Sequence, residues 1–369
     1  MATSAPMLSP VPDERLRGIV TSRLPGAHII AVQALGVDMV AEDATTKGVG
    51  YGAPLRIDIE HEGQRRSLVL HTATANAFGH DRRADRAAEA ILAADTFDDL
   101  PLHVKALDVG AFDAKAGFVS LRGTGEFYLL TEWADGHPYA RDLRRVAQTS
   151  KLEQSDLARV DTLADYLAAL HTERLSSPVA QQRAYRDLLG SGEGIFGIVD
   201  SYGQGAPGAP ASHLRRIEEL CLSWRWRLKE LARPLVRTHG DFHPFNVLFD
   251  EHGELRLLDT SRGSAGDAAD DVTCMALNYP FFALEHEGSW QRAFAPLWHR
   301  FWSRYLEASG DHGVLSVAAP FLAWRGLVLA SPLWYPELSA QSRTKILDFV
   351  EAALRSERFD PESATELFR

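Results

Sequence analysis

Apolar and polar positions alternate from Pro54 to Glu60. Leu55, Ile57 and Ile59 fall on one side, and Arg56, Asp58 and Glu60 on the other. A period of two predicts a half-buried strand. His61-Glu62-Gly63-Gln64 reads as a turn and Arg66 to Leu70 as the returning strand, so the pair predicts an antiparallel hairpin. Asp81 to Asp95 is Ala-rich with charges on one side, which predicts a helix. Val104 to Val109 and Glu126 to Thr131 predict two further short strands. Glu132 to Pro138 then carries the turn residues of a linker.

Beyond the linker the period changes. Leu157, Val160, Leu163, Leu167 and Leu170 recur at helical spacing and predict one apolar stripe. Gly190 to Pro210 is rich in Gly, Pro and Ser and reads as a connector. His213 to Leu231 returns to helix. Asn246 to Asp250 and Glu254 to Asp259 predict a second strand pair across the turn Glu251-His252-Gly253. Helices dominate from Asp271 onward. The pattern as a whole predicts an α+β chain, strand-rich first and helical afterwards.

Composition narrows the classes. The chain has 369 residues, 39 basic against 50 acidic, for a net charge of −11. A chain this acidic is a poor coat for nucleic acid, which needs clustered cations. The hydrophobic fraction of 45% excludes global disorder. No run approaches the roughly 18–20 apolar residues of a membrane span. Met1 to Pro12 lacks the pattern of a signal peptide, so the expected location is cytoplasmic. Cys221 and Cys274 cannot build a disulfide framework and read as buried thiols.

Chemistry concentrates between Leu235 and Asp271. The second strand pair places Asp241 and Asn246 before one strand and Asp259 after the other, so a hairpin brings the three together. Two carboxylates and a carboxamide suit a hard divalent cation such as Mg²⁺, which takes few protein oxygens and completes its shell with phosphate and water. A carboxylate placed to accept a hydroxyl proton would complete a phosphoryl-transfer site.

His239-Gly-Asp241 followed by Asn246, with Leu258-Asp259 downstream, resembles the aminoglycoside phosphotransferase and choline kinase-like family. Gly266-Asp267 to Asp271-Val272, the helix ending Leu170-His171 and the stretch Leu129 to Gly136 are similar to further segments of that family, in the same order, over about residues 35–275. The resemblance implies a two-lobed protein-kinase-like fold. A nucleotide-binding N-lobe would span residues 1–133, and a C-lobe with the catalytic loop and acceptor-binding helices 134–369. It implies that Asp241 is the catalytic base, that Asn246 and Asp259 hold Mg²⁺, that His239 supports the loop backbone and that Glu132 lies in the nucleotide-binding hinge. The phosphoryl donor would be ATP or GTP and the acceptor a hydroxylated small molecule: an amino sugar, a choline-like alcohol or another metabolite. For Asp267 and Asp271 the residue types favour a helix N-cap and a first-turn charge.

The sequence departs from the family where a strand Lys should meet the donor phosphates. Only six of the 39 basic residues are Lys, and the end of Ser67-Leu-Val-Leu-His71 carries His71. Lys47, Arg82 or Arg83 are other sources of that charge, and Glu89 is the candidate partner for the cation. Gly48, Gly50 and Gly52 form a GxGxG run that would let backbone N–H groups approach phosphate. Two other readings stand beside the kinase: a weak or inactive kinase that only binds nucleotide, and a metal-dependent hydrolase using His239, Asp241 and His243 as HxDxH. The C-terminal aromatics Trp290, Trp298, Trp302, Trp324, Trp334 and Tyr335 offer faces for an amine or sugar acceptor, while the other reading, favoured by the spacing of Trp298, Trp302 and Tyr305, is a helical core. The oligomeric state is left open.

Overall fold

Ile57 and Ile59, from the apolar side of the first predicted strand, are fully buried in a computed structural model of the chain. The structure describes residues 13–35, 54–77, 79–113, 117–203, 205–231, 233–260, 262–284, 286 and 288–363. Gly48, Gly50, Gly52 and Lys47 lie outside the described residues. The chain divides into two compact units, Met1–Leu130 and Thr131–Arg369.

In the first unit the elements are α1 (Asp13–Arg23), β1 (His28–Ala34), β2 (Leu55–His61), β3 (Gln64–Leu70), α2 (Arg83–Thr96), β4 (Gly110–Phe112) and β5 (Phe118–Ser120). Strands β1, β2 and β3 form an antiparallel sheet in that order, with Leu55 opposite Leu70 and His61 opposite Gln64. The hairpin turns on Glu62 and Gly63, both at positive φ (52° and 73°). Two left-handed residues match the right-handed twist of the strands they join. Ile57 and Ile59 pack with Leu16, Val20 and Ala27 as a small core.

Two strand expectations fail here. Residues 104–109 and 126–131 form no strand; the pair that does form is β4 with β5. Tyr128, Leu129 and Leu130 are almost fully exposed. An apolar run becomes a strand only where a neighbouring backbone pairs with it, and that partner is a tertiary matter.

The second unit contains β6 (His137–Pro138), α3 (Tyr139–Thr149), α4 (Gln154–Leu170), β7 (Arg174–Leu175), α5 (Pro178–Gly190), α6 (Ile195–Asp200), α7 (Ala211–Leu231), β8 (Leu235–Arg237), β9 (Val247–Phe249), β10 (Leu255–Leu257), β11 (Ala265–Gly266), α8 (Ala268–Ala276), α9 (Asn278–Ala283), α10 (Ala295–Ser309), α11 (Ala318–Ala330) and α12 (Ala340–Arg355). The α+β class is as the pattern predicts. Val160, Leu163 and Leu167 are wholly buried on α4, each stabilising by roughly 1.5–3 kcal/mol. Helix α6 interrupts the expected connector, because Ile195 and Ile198 bury against the main core despite their Gly-rich surroundings. Trp298, Trp302 and Tyr305 point inward, with Trp298 and Trp302 edge to face at 5.8 Å. No helix among the described residues is long and apolar enough to cross a membrane.

Candidate active site

Short strands fix the site by pairing. Strand β9 lies between β6 and β10, with Leu255 opposite Phe249 and His137 opposite Phe249. Gly136, just before β6, has φ 137°, and a Cβ there would meet the Phe249 carbonyl oxygen at 2.8 Å. The chain can cross β9 this closely only without a side chain. Asp250 closes the β9–β10 turn by accepting the His252 and Glu254 N–H groups, each at 2.9 Å. Past β10, the Leu258 N–H donates to the Asn246 carbonyl at 2.9 Å, which sets Asp259 beside the start of β9. Asp259 itself has φ 50°, a left-handed conformation that few residues other than Gly, Asn and Asp adopt readily.

The loop from Thr238 to Phe245 carries Asp241. Gly240 sits at φ 83°, with only 3.1 Å between a built Cβ and the Gly263 carbonyl. Ahead of it, Asp271 on α8 accepts the His239 N–H through Oδ2 and the Gly240 N–H through Oδ1, both at 2.8 Å. Asp267 caps α8, accepting the Ala269 N–H at 3.0 Å. The expected helix cap is therefore Asp267. Asp271 is more than the first-turn charge the sequence suggested: it clamps the loop backbone. Burial opposes its charge, but the His171 hydrogen bond and the two backbone donors outweigh this and hold its carboxyl below the ordinary carboxylate range.

Five residues contact Asp241. Asn246 Nδ2 donates to both its carbonyl and Oδ2 at 3.2 Å. His243 Nε2 lies 3.4 Å from Oδ2. The Asp241 N–H donates to His239 Nδ1 at 3.2 Å. Arg325 Nη1 donates to Oδ1 at 2.9 Å, and Arg262 Nη2 binds the same oxygen. Burial again works against the charge, yet the hydrogen bond from His243 and the charges of Arg325 and Arg262 hold Asp241 well below its usual range. Arg262 and Arg325 were not singled out by sequence reasoning. The signal for Arg325 was there: it is a lone charge within the apolar run Ala318–Ala330, where a buried guanidinium demands partners.

Not every expected residue joins this cluster. Asn246 joins Asp241 directly, and Asp259 follows Leu258, whose N–H bonds the Asn246 carbonyl. Glu132 lines a cavity of about 910 Å³ with Trp133, Arg256, Leu258 and Asp259. His71 and Glu89 belong to the first unit. His71 follows the last residue of β3 and is exposed. Glu89 pairs with His80 at 3.1 Å, so its partner is a histidine other than His71. Of the candidate acceptor aromatics, Trp290 and Trp324 are buried, Tyr335 is partly buried and Trp334 is exposed.

The donor set suits a hard cation. Asn246 uses its amide N–H on Asp241, so its carboxamide oxygen is the atom left to ligate, and Asp259 is the carboxylate that follows the Leu258–Asn246 backbone bond. A carboxamide and a carboxylate are oxygen donors of the kind Mg²⁺ takes. The HxDxH reading fares worse. His239 Nδ1 and His243 Nδ1 accept the Asp241 and Phe245 N–H groups, so both imidazoles are engaged in shaping the loop.

The profile of the phosphotransferase enzyme family matches residues 80–305. No curated protein matches the chain significantly. Among solved structures, the choline kinase LicA from Streptococcus pneumoniae is similar at 15% identity, over 92% of this chain and 98% of that one, with a TM-score of 0.35. A Plasmodium vivax ethanolamine kinase matches at 13% identity, over 86% and 84%, with a TM-score of 0.37. The aminoglycoside phosphotransferase APH(2")-IIa in its gentamicin complex matches at 12% identity, over 94% and 97%, with a TM-score of 0.33.

Proposed function

The chain belongs to the phosphotransferase enzyme family and is a small-molecule kinase, and from that premise we propose that it moves the γ-phosphoryl group of ATP or GTP to a hydroxyl of a small molecule, with Asp241 as the base. The observation that carries this reading is the Asp241 carboxylate, held ionised at the loop apex and joined to Asn246 at 3.2 Å. The acceptor hydroxyl donates its hydrogen bond to Asp241 and its oxygen attacks the γ-phosphorus. The bond from that phosphorus to the bridging oxygen breaks, the nucleoside diphosphate leaves, and the hydroxyl proton passes to Asp241. The transition state is loose, so orientation of the hydroxyl matters more than the strength of the base.

Asn246 and Asp259 would hold Mg²⁺, which when bound neutralises charge on the donor phosphates. The residues around the 910 Å³ cavity, Glu132 and Trp133 among them, would receive the nucleotide base. His71 would supply the cation that the family's strand Lys supplies elsewhere. The acceptor is an amino sugar, a choline-like alcohol or another hydroxylated metabolite.

The test is turnover. Protein, Mg-ATP or Mg-GTP and a panel of hydroxylated small molecules are mixed, and ADP or GDP is followed. Asp241→Asn should abolish turnover while nucleotide binding, followed by thermal shift, stays nearly intact. Wild-type rates in that variant would remove Asp241 from the mechanism.

A further inference from the structure

The two oxygens of Asp241 are held differently. Oδ1 receives the guanidinium groups of Arg325, at 2.9 Å, and Arg262. A carboxylate oxygen has about two lone-pair sites, so Oδ1 is saturated by charge-assisted bonds. Among the described residues Oδ2 also has two neighbours, but weaker ones: Asn246 Nδ2 at 3.2 Å and His243 Nε2 at 3.4 Å, either of which an incoming hydroxyl can displace more readily than a guanidinium.

Arg325 is the costlier of the two cations. It sits on α11 among buried apolar residues, is itself 6% exposed, and its Nη2 also bonds the Gly240 carbonyl at 3.0 Å and Asp270 Oδ1 at 2.5 Å. Removing a guanidinium from water carries a penalty of several kcal/mol before its bonds are counted. An aliphatic side chain would fill that place in the helix without the penalty. One guanidinium therefore ties three separate pieces together: the Gly240 backbone, the Asp241 carboxylate and α8 through Asp270.

Trp324 keeps the fork in plane. Its ring lies 4.0 Å from the Arg325 guanidinium carbon and 4.4 Å from that of Arg262, and its indole N–H is anchored on the Glu193 carbonyl at 2.6 Å. Cation–π contact of one ring with both guanidinium groups restricts both.

We propose that Arg325 is a positioning residue: it locks Asp241 Oδ1 against the loop so that Oδ2 is the oxygen offered to the acceptor hydroxyl. This rests on the reading of Asp241 as the base. The polar partners of Arg325 are the Asp241 carboxylate, the Gly240 carbonyl and Asp270, so its effect on the reaction passes through Asp241. It acts by fixing the tilt of the Asp241 carboxylate: the two oxygens are equivalent, and what the grip sets is where the ungripped one stands.

The test is steady-state kinetics on the full chain, first with Mg-ATP and water as the acceptor, read as ADP release, then with the panel acceptor giving the highest rate. Arg325→Met should lower kcat by about 10- to 100-fold, the scale of a small misplacement of a reacting group. The nucleotide KM should stay within about two-fold, because uniform binding is untouched. Arg325→Lys keeps the charge but cannot span three acceptors, so its kcat should fall between the two. The double variant Arg325→Met with Asp270→Asn removes the partly buried carboxylate that loses its Arg325 partner in Arg325→Met. It should melt near the wild type yet keep the kcat defect. Arg262→Met should combine with Arg325→Met less than multiplicatively, since both grip one oxygen.

Wild-type kcat in a folded Arg325→Met/Asp270→Asn protein overturns the proposal. So does wild-type kcat in Arg325→Lys, which decides the matter if the methionine variants do not fold. A kcat loss matched by an equal loss of folded protein also overturns it. Asp241→Asn separates the two levels. If it is inactive while the Arg325 variants are normal, the proposal fails and the base assignment stands. If Asp241→Asn itself is active, the base assignment fails.

Discussion

The buried Asp271 carboxylate lies 3.2 Å from His171 Nε2, and so joins the end of α4 to the loop that carries Asp241. His171 is held from its other side by the Tyr305 hydroxyl, 2.8 Å from Nδ1. The same carboxylate takes the N–H groups of His239 and Gly240. Three helices, α4, α8 and α10, are thereby wired to one turn of backbone.

Replacing Asp271 by Asn should destabilise the protein by about 3–5 kcal/mol, the range for breaking one side of a buried charged network. One acceptor is lost and an amide N–H is left facing a backbone donor. The folded Asp271 carboxyl titrates below the ordinary carboxylate range. Its contribution is therefore complete above the unfolded-state value and is lost as pH falls through the lower folded value. Urea unfolding across acid pH should show a shallower decline in Asp271→Asn than in the wild type. An unchanged midpoint and slope would mean that this carboxylate holds nothing in place.

Asp259→Asn keeps a residue type that tolerates φ 50°, so the fold should be unaffected. Only the ligand charge changes. The Mg²⁺ concentration for half-maximal turnover should rise by about 10-fold or more. A Mg²⁺ titration of rate, with melting temperature as the control, reads this directly. An unaltered titration would place the cation elsewhere.

His71→Ala should weaken use of the nucleotide by about 10-fold in kcat/KM, the size of one charge-assisted hydrogen bond. His71→Lys should recover it. Varying the nucleotide at saturating acceptor measures both. No change in either variant would shift the phosphate-binding role to another cation.

Gly326→Ala sets packing against propensity. Alanine gains up to about 1 kcal/mol in a helix over glycine. Here, however, the added Cβ would meet Val350 Cγ2 at 2.3 Å, where α11 packs on α12. Overpacking of this kind costs about 1–3 kcal/mol, so the variant should be less stable. Thermal unfolding decides it, and a rise in melting temperature would show that α12 yields freely.

Much of the site is local, and the local part was readable. The β2–β3 hairpin, the α4 stripe and the β9–β10 hairpin between Asn246 and Asp259 all depend on residues within a few turns of one another. Their periodicity and turn chemistry are written in consecutive positions. The expected strands at 104–109 and 126–131 did not form, because a strand depends on a partner that its own residues do not specify.

The sequence by itself determined the fold class, the loop with its carboxylate and carboxamide, and the family. Tertiary structure alone decided how Asp241 is gripped. Arg325 reaches it across 84 residues and Asp271 reaches Gly240 across 31. Such pairs obey no period. They are selected because a charge removed from water must find its opposite in space, and only the folded chain says which opposite is near.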